Sequence, residues 1–582
     1  MNSVRLMAAT LLCALGTACG TEPNPPDNGG GTPPPGPVIP PPGQTTTCTQ
    51  PTEITLAAGG HTIIDPATNL GCIRIPEAGT AGAEHVVVAM ATNGRETSSG
   101  VSVTYDLRGT PTLLGQVAAT ADAPLPRELD PRIGKFAGRL KRDEFHKLLR
   151  AKERVLSKYP VPSFNRSPTA FSGAAVPPQV GDQRTFKVCS TEQCTSFVDV
   201  TATVRHVGPK GAIYLDDTVP AGGYTQTDIN AVGALFDTYL YPIDTTSFGR
   251  ESDLDNNGVV VVLLTDQVNT LSGNCNSAGS VILGYFFGND LLPGQTGSNG
   301  GEVFYGLVPN PGSSTCTISR DFASDLLAPT FIHEFQHMIS FNQHVLVRGG
   351  FSEDTWLNEG LSHFAEELAG RQIPDALCHN QDCFTQFASG DAGNAYRYLS
   401  EVEDHFLVEP GSSGGTLEER GANWLFVRWL VDHFGADVTG AAFTRSLVAT
   451  NRLGAENVAA ATGVQFSTLT PQWQLANYLD NLPGYVPGDG RLQYSSWNFR
   501  ATFASFNQQA PGSFPRPYPL VPDSTRTGVY SRQGTLRAGS GPHVRIIQTP
   551  NANPVTVQLT DGARNPIGSS TAAPRIAIAR IR

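Results

Sequence analysis

The sequence predicts an α+β protein of several folding units, β-rich towards both ends and helical in the stretch between. Three patterns lead to that reading. Residues 48–118 carry short alternating runs, such as His85-Val86-Val87-Val88-Ala89 and Val101-Ser102-Val103-Thr104-Tyr105, separated by Gly-rich turns, as in a small β-sandwich. From residue 326 to about 480, apolar side chains recur at three- and four-residue spacing, as on helices with a buried face. Beyond Tyr494 alternation returns, in Val555-Thr556-Val557-Gln558-Leu559 and Ile576-Ala577-Ile578, which predicts a second small β domain over residues 491–582. At 582 residues the chain exceeds what one core organises, so roughly three or four units are expected. Charged residues make up only 16% against 61 Gly and 44 Pro, which favours turns and loops. The net charge of −12 argues against nucleic acid as a partner of the whole molecule.

Residues 1–18 read as an export signal. Arg5 gives a minimal charged start, and residues 6–15 form an apolar run that ends in Gly16-Thr17-Ala18 before Cys19. That run is too short for a bilayer, which requires ~20 apolar residues. The segment resembles a bacterial lipoprotein signal, with Leu15 four residues before the cysteine where three is usual. Two exits follow: cleavage before a lipid-modified Cys19, or ordinary signal cleavage nearby. Residues 19–47, with Pro33-Pro34-Pro35 and Pro40-Pro41-Pro42, cannot bury a core and read as an extended tether. Setting aside Cys13 and Cys19, eight cysteines fall into neighbouring pairs: Cys48 with Cys72, Cys189 with Cys194, Cys275 with Cys316, and Cys378 with Cys383. No CxxC spacing occurs, so disulfides in an oxidising compartment suit them better than a cysteine metal site.

Residues 119–176 form a basic linker or pro-segment. Between Arg127 and Lys158 stand eleven of the chain's 40 Lys and Arg residues against five acids, and Phe145, Leu148, Leu149, Val155 and Leu156 give a partial helical stripe. The segment reads as a removable pro-segment, as a surface for anionic partners, or as a solvated linker helix docked on an acidic domain; the last is favoured. A further unit, residues 177–490, opens with β-like runs at 184–188, 197–204 and 211–215, and 259–265 reads as a buried strand. Just before it, Asp253-Leu254-Asp255-Asn256-Asn257-Gly258 resembles the opening of a calcium loop, with Asp253, Asp255 and Asn257 as its ligands. Leu264 stands where an EF-hand would place its bidentate Glu, so a plain Asp/Asn/Gly turn is the alternative.

The chemistry concentrates in Thr330-Phe331-Ile332-His333-Glu334-Phe335-Gln336-His337-Met338-Ile339. Its apolar positions follow helical spacing, so His333 and His337 stack one turn apart and can reach one ion. Neutral imidazole is a good zinc ligand, and Glu334 at a neighbouring angle can take a proton from water. Chance produces the five-residue pattern in about one chain in a hundred of this size. A second amphipathic helix follows over residues 353–368, where Glu359, His363 and Glu366 make a polar stripe on an otherwise apolar face. A buried carboxylate needs a cation, so Glu359 is the third ligand, with His363 and Glu366 placed to orient ligands or left in solvent. A capping box, Thr416-Leu417-Glu418-Glu419, opens a helix that ends at Gly435 and is apolar nearly all round.

His333-Glu334-Phe335-Gln336-His337 together with Trp356-Leu357-Asn358-Glu359-Gly360-Leu361-Ser362 resembles the gluzincin metallopeptidases. Within them the likeness is to the hyicolysin family of bacterial secreted peptidases, which the run after Asp253-Leu254-Asp255 and the stretch Gly421-Ala422-Asn423-Trp424-Leu425-Phe426-Val427-Arg428 also resemble. The resemblance covers roughly residues 180–490. It implies zinc on His333, His337 and Glu359, and a thermolysin-like zincin core with a β-rich part before a helical part. Small β-sandwich-like domains would flank that core. His363 stands where thermolysin-like enzymes commonly carry an Asp. Related enzymes stabilise the oxyanion with a downstream Tyr or His, for which Tyr396, Tyr398 and His405 are available.

The reading that results is an exported zinc endopeptidase, monomeric, acting on proteins or peptides and touching a membrane only through a lipid on Cys19. The alternatives are a zinc aminopeptidase, whose Gly-rich exopeptidase motif is not found before the zinc helix, and a non-catalytic zinc-containing surface or adhesion protein, which would have no use for Glu334. Gly411-Ser412-Ser413-Gly414-Gly415 formally matches a serine nucleophile elbow, but it lies in a Gly/Ser-rich loop where composition alone yields such a match.

Overall fold

The structure, a computed structural model, describes residues 48, 50–68, 70–111, 140–158, 176–278, 281–378, 382–411 and 415–582. The expected signal, tether, Cys19, Ser413 and the flanks of the basic segment lie outside the described residues. All four expected cysteine pairs stand at disulfide distance.

The strands near the two ends do not make two β domains. They interleave in one sandwich of two five-stranded sheets. One sheet runs Thr52–Glu53, Cys72–Ile75, Val555–Asp561, Ser102–Pro111, Tyr530–Arg537; the other runs Asp523–Thr525, His543–Gln548, Ala83–Ala91, Pro574–Arg580, His61–Ile64. Neither terminal stretch closes a sheet by itself, because every strand except the edge strands Thr52–Glu53 and Asp523–Thr525 pairs with a strand from the other end of the chain. Alternation reveals a strand's faces and says nothing of its neighbour. Ala83–Ala91 is buried at every position. Val87, Ala89 and Ala91 face the sandwich core, while Val86, Val88 and Met90 join the core of the helical region. Residues 499–509, placed in the C-terminal β domain by their position, form a helix whose Phe499 and Phe503 also enter that helical core.

The middle of the chain holds a six-stranded mixed sheet in the order Gly284–Phe286, Val303–Gly306, Val260–Leu264, Gly211–Asp216, Phe197–Val207, Gln183–Cys189. Val260–Leu264 is buried throughout, as its β-branched run requires: Val260, Val262 and Leu264 meet the helices, and Val261 and Leu263 meet a second core. The basic segment contains helix α1 (Leu140–Leu156), which puts Phe145 and Leu149 into that second core.

Four helices build the region around the motif: α2 (Arg320–Phe341), α3 (Thr355–Gln372), α4 (Cys383–Ser400) and α5 (Leu417–Phe434). The Thr416–Glu419 capping box is present and fixes where α5 begins. Close approach depends on two glycines. A Cβ on Gly360 would lie 2.8 Å from Asn423 O, and one on Gly421 would lie 2.3 Å from the backbone of Asn394. With hydrogen there instead, α5 sits tightly against α3 and α4.

Candidate metal centre

α2 brings His333, Glu334 and His337 inward, and α3 crosses it with Glu359; all four side chains are buried. Nε2 of His333 and Nε2 of His337 lie 3.2 Å apart, and each lies 3.6 Å from an oxygen of Glu359. Ligand atoms from the three residues therefore converge around one point, as tetrahedral coordination requires.

The outward nitrogens are held. Glu366 Oε1 is 2.7 Å from His333 Nδ1, and Ser362 Oγ is 3.0 Å from His337 Nδ1 while donating to Gln336 Oε1 at 2.6 Å. Each ring thus carries its proton on Nδ1 and turns the Nε2 lone pair towards the common point. Burial keeps His337 well below the ordinary imidazole range, in the neutral form a metal binds. Burial opposes ionisation of Glu359, but Arg420, 3.6 Å away, and His337 hold it well below the usual carboxylate range.

The donor set fits zinc on an observation independent of the motif. Two imidazole nitrogens and a carboxylate face one another in a buried space, and among the described residues neither oxygen of Glu359 has a hydrogen-bond donor. A divalent cation satisfies all of them together.

His363 does not replace the Asp of thermolysin-like enzymes as the partner of a ligand. It stands behind Glu366: its Nδ1 is 2.9 Å from Glu366 and 2.8 Å from Asp391, and its ring meets His333 edge-on at 4.7 Å. Against the effect of burial, Asp391 and Glu366 raise His363 to about 10. It is an imidazolium that buttresses the carboxylate holding His333. Asp391 was not foreseen, since it lies on another helix at no fixed spacing from the motif. Ser362 was visible as part of the Asn-Glu-Gly-Leu-Ser run without a role.

Glu334 is buried beside the ligands. Its Oε2 accepts from Phe286 N at 2.8 Å, at the edge strand of the six-stranded sheet, and its Oε1 is 3.5 Å from His146 Nδ1 on α1. Burial raises its pKa, which makes it a stronger base than an exposed Glu. α1 is therefore not a solvated linker. His146, Arg150 and Glu153 are buried, Arg150 donates to Phe286 O at 2.7 Å, and Gly288 N donates to Glu153 Oε1 at 2.7 Å.

These groups line a cavity of about 450 Å³ that includes His333, Glu334, His146, Glu366, Asn394 and Arg420. Tyr396 and Tyr398, put forward as oxyanion donors, do not line it. The Tyr396 hydroxyl donates to Arg516 O and accepts from Arg516 N, and the Tyr398 hydroxyl pairs with Ser540 Oγ and accepts from Gln474 Nε2. Both are packing tyrosines of the core. His405 also lies outside the cavity lining. A larger cavity of about 620 Å³ beside α2, lined by Tyr224, Asp228 and Arg320 among others, contains none of the ligands. Asp253 and Asp255 do approach each other, but the third carboxylate near them is Glu302. Asn257 instead donates to Asp255 Oδ2 and accepts from Val259 N.

Over 208 residues the chain is 26% identical to the neutral metalloprotease ShpI of Staphylococcus hyicus. The chain is a relative of a metalloprotease. The match covers 35% of this chain and 42% of the relative, so the chain spans less than half the length of the protein it matches. No family profile matches the chain. The hyicolysin-type resemblance carried by the two helical motifs agrees with this relative.

Proposed function

We propose that the chain is a zinc endopeptidase with a thermolysin-like catalytic core over residues 177–490, exported from a bacterial cell. One observation carries the proposal: a buried ring of His333, His337 and Glu359 nitrogens and oxygens, with Glu334 beside it facing the same cavity. Zinc bound there supplies a Lewis acid and an acidified water. Glu334 takes a proton from the attacking water and returns it to the leaving amine, while Phe286 N–H keeps its carboxylate aimed. Glu366 and Ser362 keep the imidazoles in register. The sequence before α2 carries no Gly-rich exopeptidase motif, which favours an endopeptidase over an aminopeptidase. Among the described residues no helix is long and apolar enough to cross a membrane; export and a lipid on Cys19 rest on the N-terminal sequence.

Metal analysis and casein digestion, with and without chelator, test the reading. Wild type should hold one zinc and digest casein until chelated. Glu334→Gln should keep the zinc and lose about a thousandfold in turnover. Full activity of that variant would remove Glu334 as the base. The calcium proposal moves to Asp253, Asp255 and Glu302; a melting temperature unmoved by added calcium would dismiss it.

A further inference from the structure

Hydrolysis of a peptide bond builds negative charge on the carbonyl oxygen, and a positioned donor must meet it. The tyrosines that resemblance suggests are engaged elsewhere in the core. Apart from the candidate ligand His333, the described lining of the cavity includes six side chains with N–H donors: His146, His363, Gln386, Asn394, Arg397 and Arg420. His363 is anchored through Nδ1 between Asp391 and Glu366, behind the carboxylate beside His333, while Gln386 donates to Asp325 O at 2.9 Å and Arg397 donates to Asn394 Oδ1 at 2.8 Å. His146 faces Glu334, on the base's side of the ligands.

Arg420 differs from all of these. It stands in the first turn of α5, where the Thr416–Glu419 capping box anchors the helix, and only 3% of its surface is exposed. Its Nη1 is 3.6 Å from Glu359 Oε2, so its charge lies against the ligand ring. A guanidinium carries five N–H donors in a fixed fork and stays charged when buried, and Nη2 of Arg420 is a buried atom that makes no hydrogen bond among the described residues. In a water-poor cavity a fixed cation acts strongly and needs no reorganisation when charge develops.

We infer that Arg420 is a further catalytic residue, donating to the scissile carbonyl oxygen as the tetrahedral intermediate forms. This rests on the peptidase reading above. Water oxygen bonds to the carbonyl carbon, its proton passes to Glu334, and the C=O electron pair moves onto the oxygen that Arg420 meets. When the pair returns, the C–N bond breaks and Glu334 gives the proton to the amine.

The test uses full-length wild type, Arg420→Lys and Arg420→Met with a quenched fluorescent peptide derived from casein. It measures kcat, KM, zinc affinity by chelator competition, and binding of a phosphonamidate analogue of the same peptide. The expected result is a loss of about a hundredfold in kcat and a parallel loss in phosphonamidate affinity, with zinc affinity held within about twofold. Arg420→Lys, which keeps charge and bulk, gives the answer should Arg420→Met fail to fold. Unchanged kcat overturns the inference. So does a fall in zinc affinity with activity restored by excess zinc, because Arg420 would then only position Glu359. Failure of the peptidase reading shows separately, as a wild type no more active than Glu334→Gln, and the inference falls with it.

Discussion

Two glutamates on α3, Glu359 and Glu367, lie two turns apart and are equally buried, yet their surroundings are opposite. Glu367 is saturated. Its Oε1 accepts from Arg371 Nε at 2.7 Å, Trp497 Nε1 at 2.8 Å and Arg428 Nη1 at 3.3 Å, and its Oε2 accepts from Trp424 Nε1 at 3.1 Å. Glu359 accepts no hydrogen bond among the described residues and faces two imidazoles. A buried carboxylate with every lone pair served is a structural joint. One that accepts no hydrogen bond, with only Arg420 at 3.6 Å and two imidazoles around it, is placed as a metal ligand would be. The same helix thus holds the fold together at one end and the chemistry at the other.

Replacing Glu367 should have the largest effect. Glu367→Ala takes one of two carboxylates from the buried Arg428, which keeps Asp432, and strips Trp424 and Trp497 of their acceptor; it should lower unfolding free energy by about 3–5 kcal/mol in denaturant titrations. Glu359→Ala should change the metal-free stability far less; a comparable loss would erase the distinction drawn between the two.

Asp290 is the intermediate case, since it has donors but, among the described residues, no salt bridge. Tyr305 Oη and Asn299 N donate to it at 2.6 and 2.7 Å, yet burial raises it to about 7 from its ordinary 3.8. A carboxyl with a raised folded pKa binds more protons folded than unfolded. Stability is then fullest below pH 4 and is lost as pH rises to about 7, on the order of 4 kcal/mol across the window. Asp290→Asn should flatten that decline in a series of melts from pH 4 to 8; an unaltered slope would show that the hydrogen bonds had already stabilised the charge.

Zinc affinity separates the ligands from their supports. Glu359→Ala should weaken zinc by more than about a hundredfold in chelator competition. Glu366→Ala, which releases His333 Nδ1 and one of the two carboxylates at His363, should weaken it by about 10–100-fold. Equal losses would make Glu366 as important to the metal as Glu359.

Much of the site was legible because its spacing is local. His333, Glu334 and His337 need only one helical turn to converge, and Glu359 in a polar stripe on an otherwise apolar helix face signals a carboxylate that water does not serve. The alternating strands, the capping box of α5 and the neighbouring cysteine pairs were legible for the same reason. The tyrosines failed because a hydroxyl's partner is set by tertiary packing: Arg516 and Ser540 lie over a hundred residues away from them.

The sequence by itself determined the α+β class, the two motif helices and the candidate metal ligands, since each depends on periodicities of two or about four residues within one element. Only the tertiary structure decided what meets across elements. It joined the two terminal stretches into one sandwich and set α1 with His146 against Glu334. It also set Asp391 behind His363, and put Arg420 beside Glu359 while Arg428, two turns along the same helix, served Glu367. Those choices rest on long-range contacts between surfaces that local pattern marks only as buried, and burial alone does not name a partner.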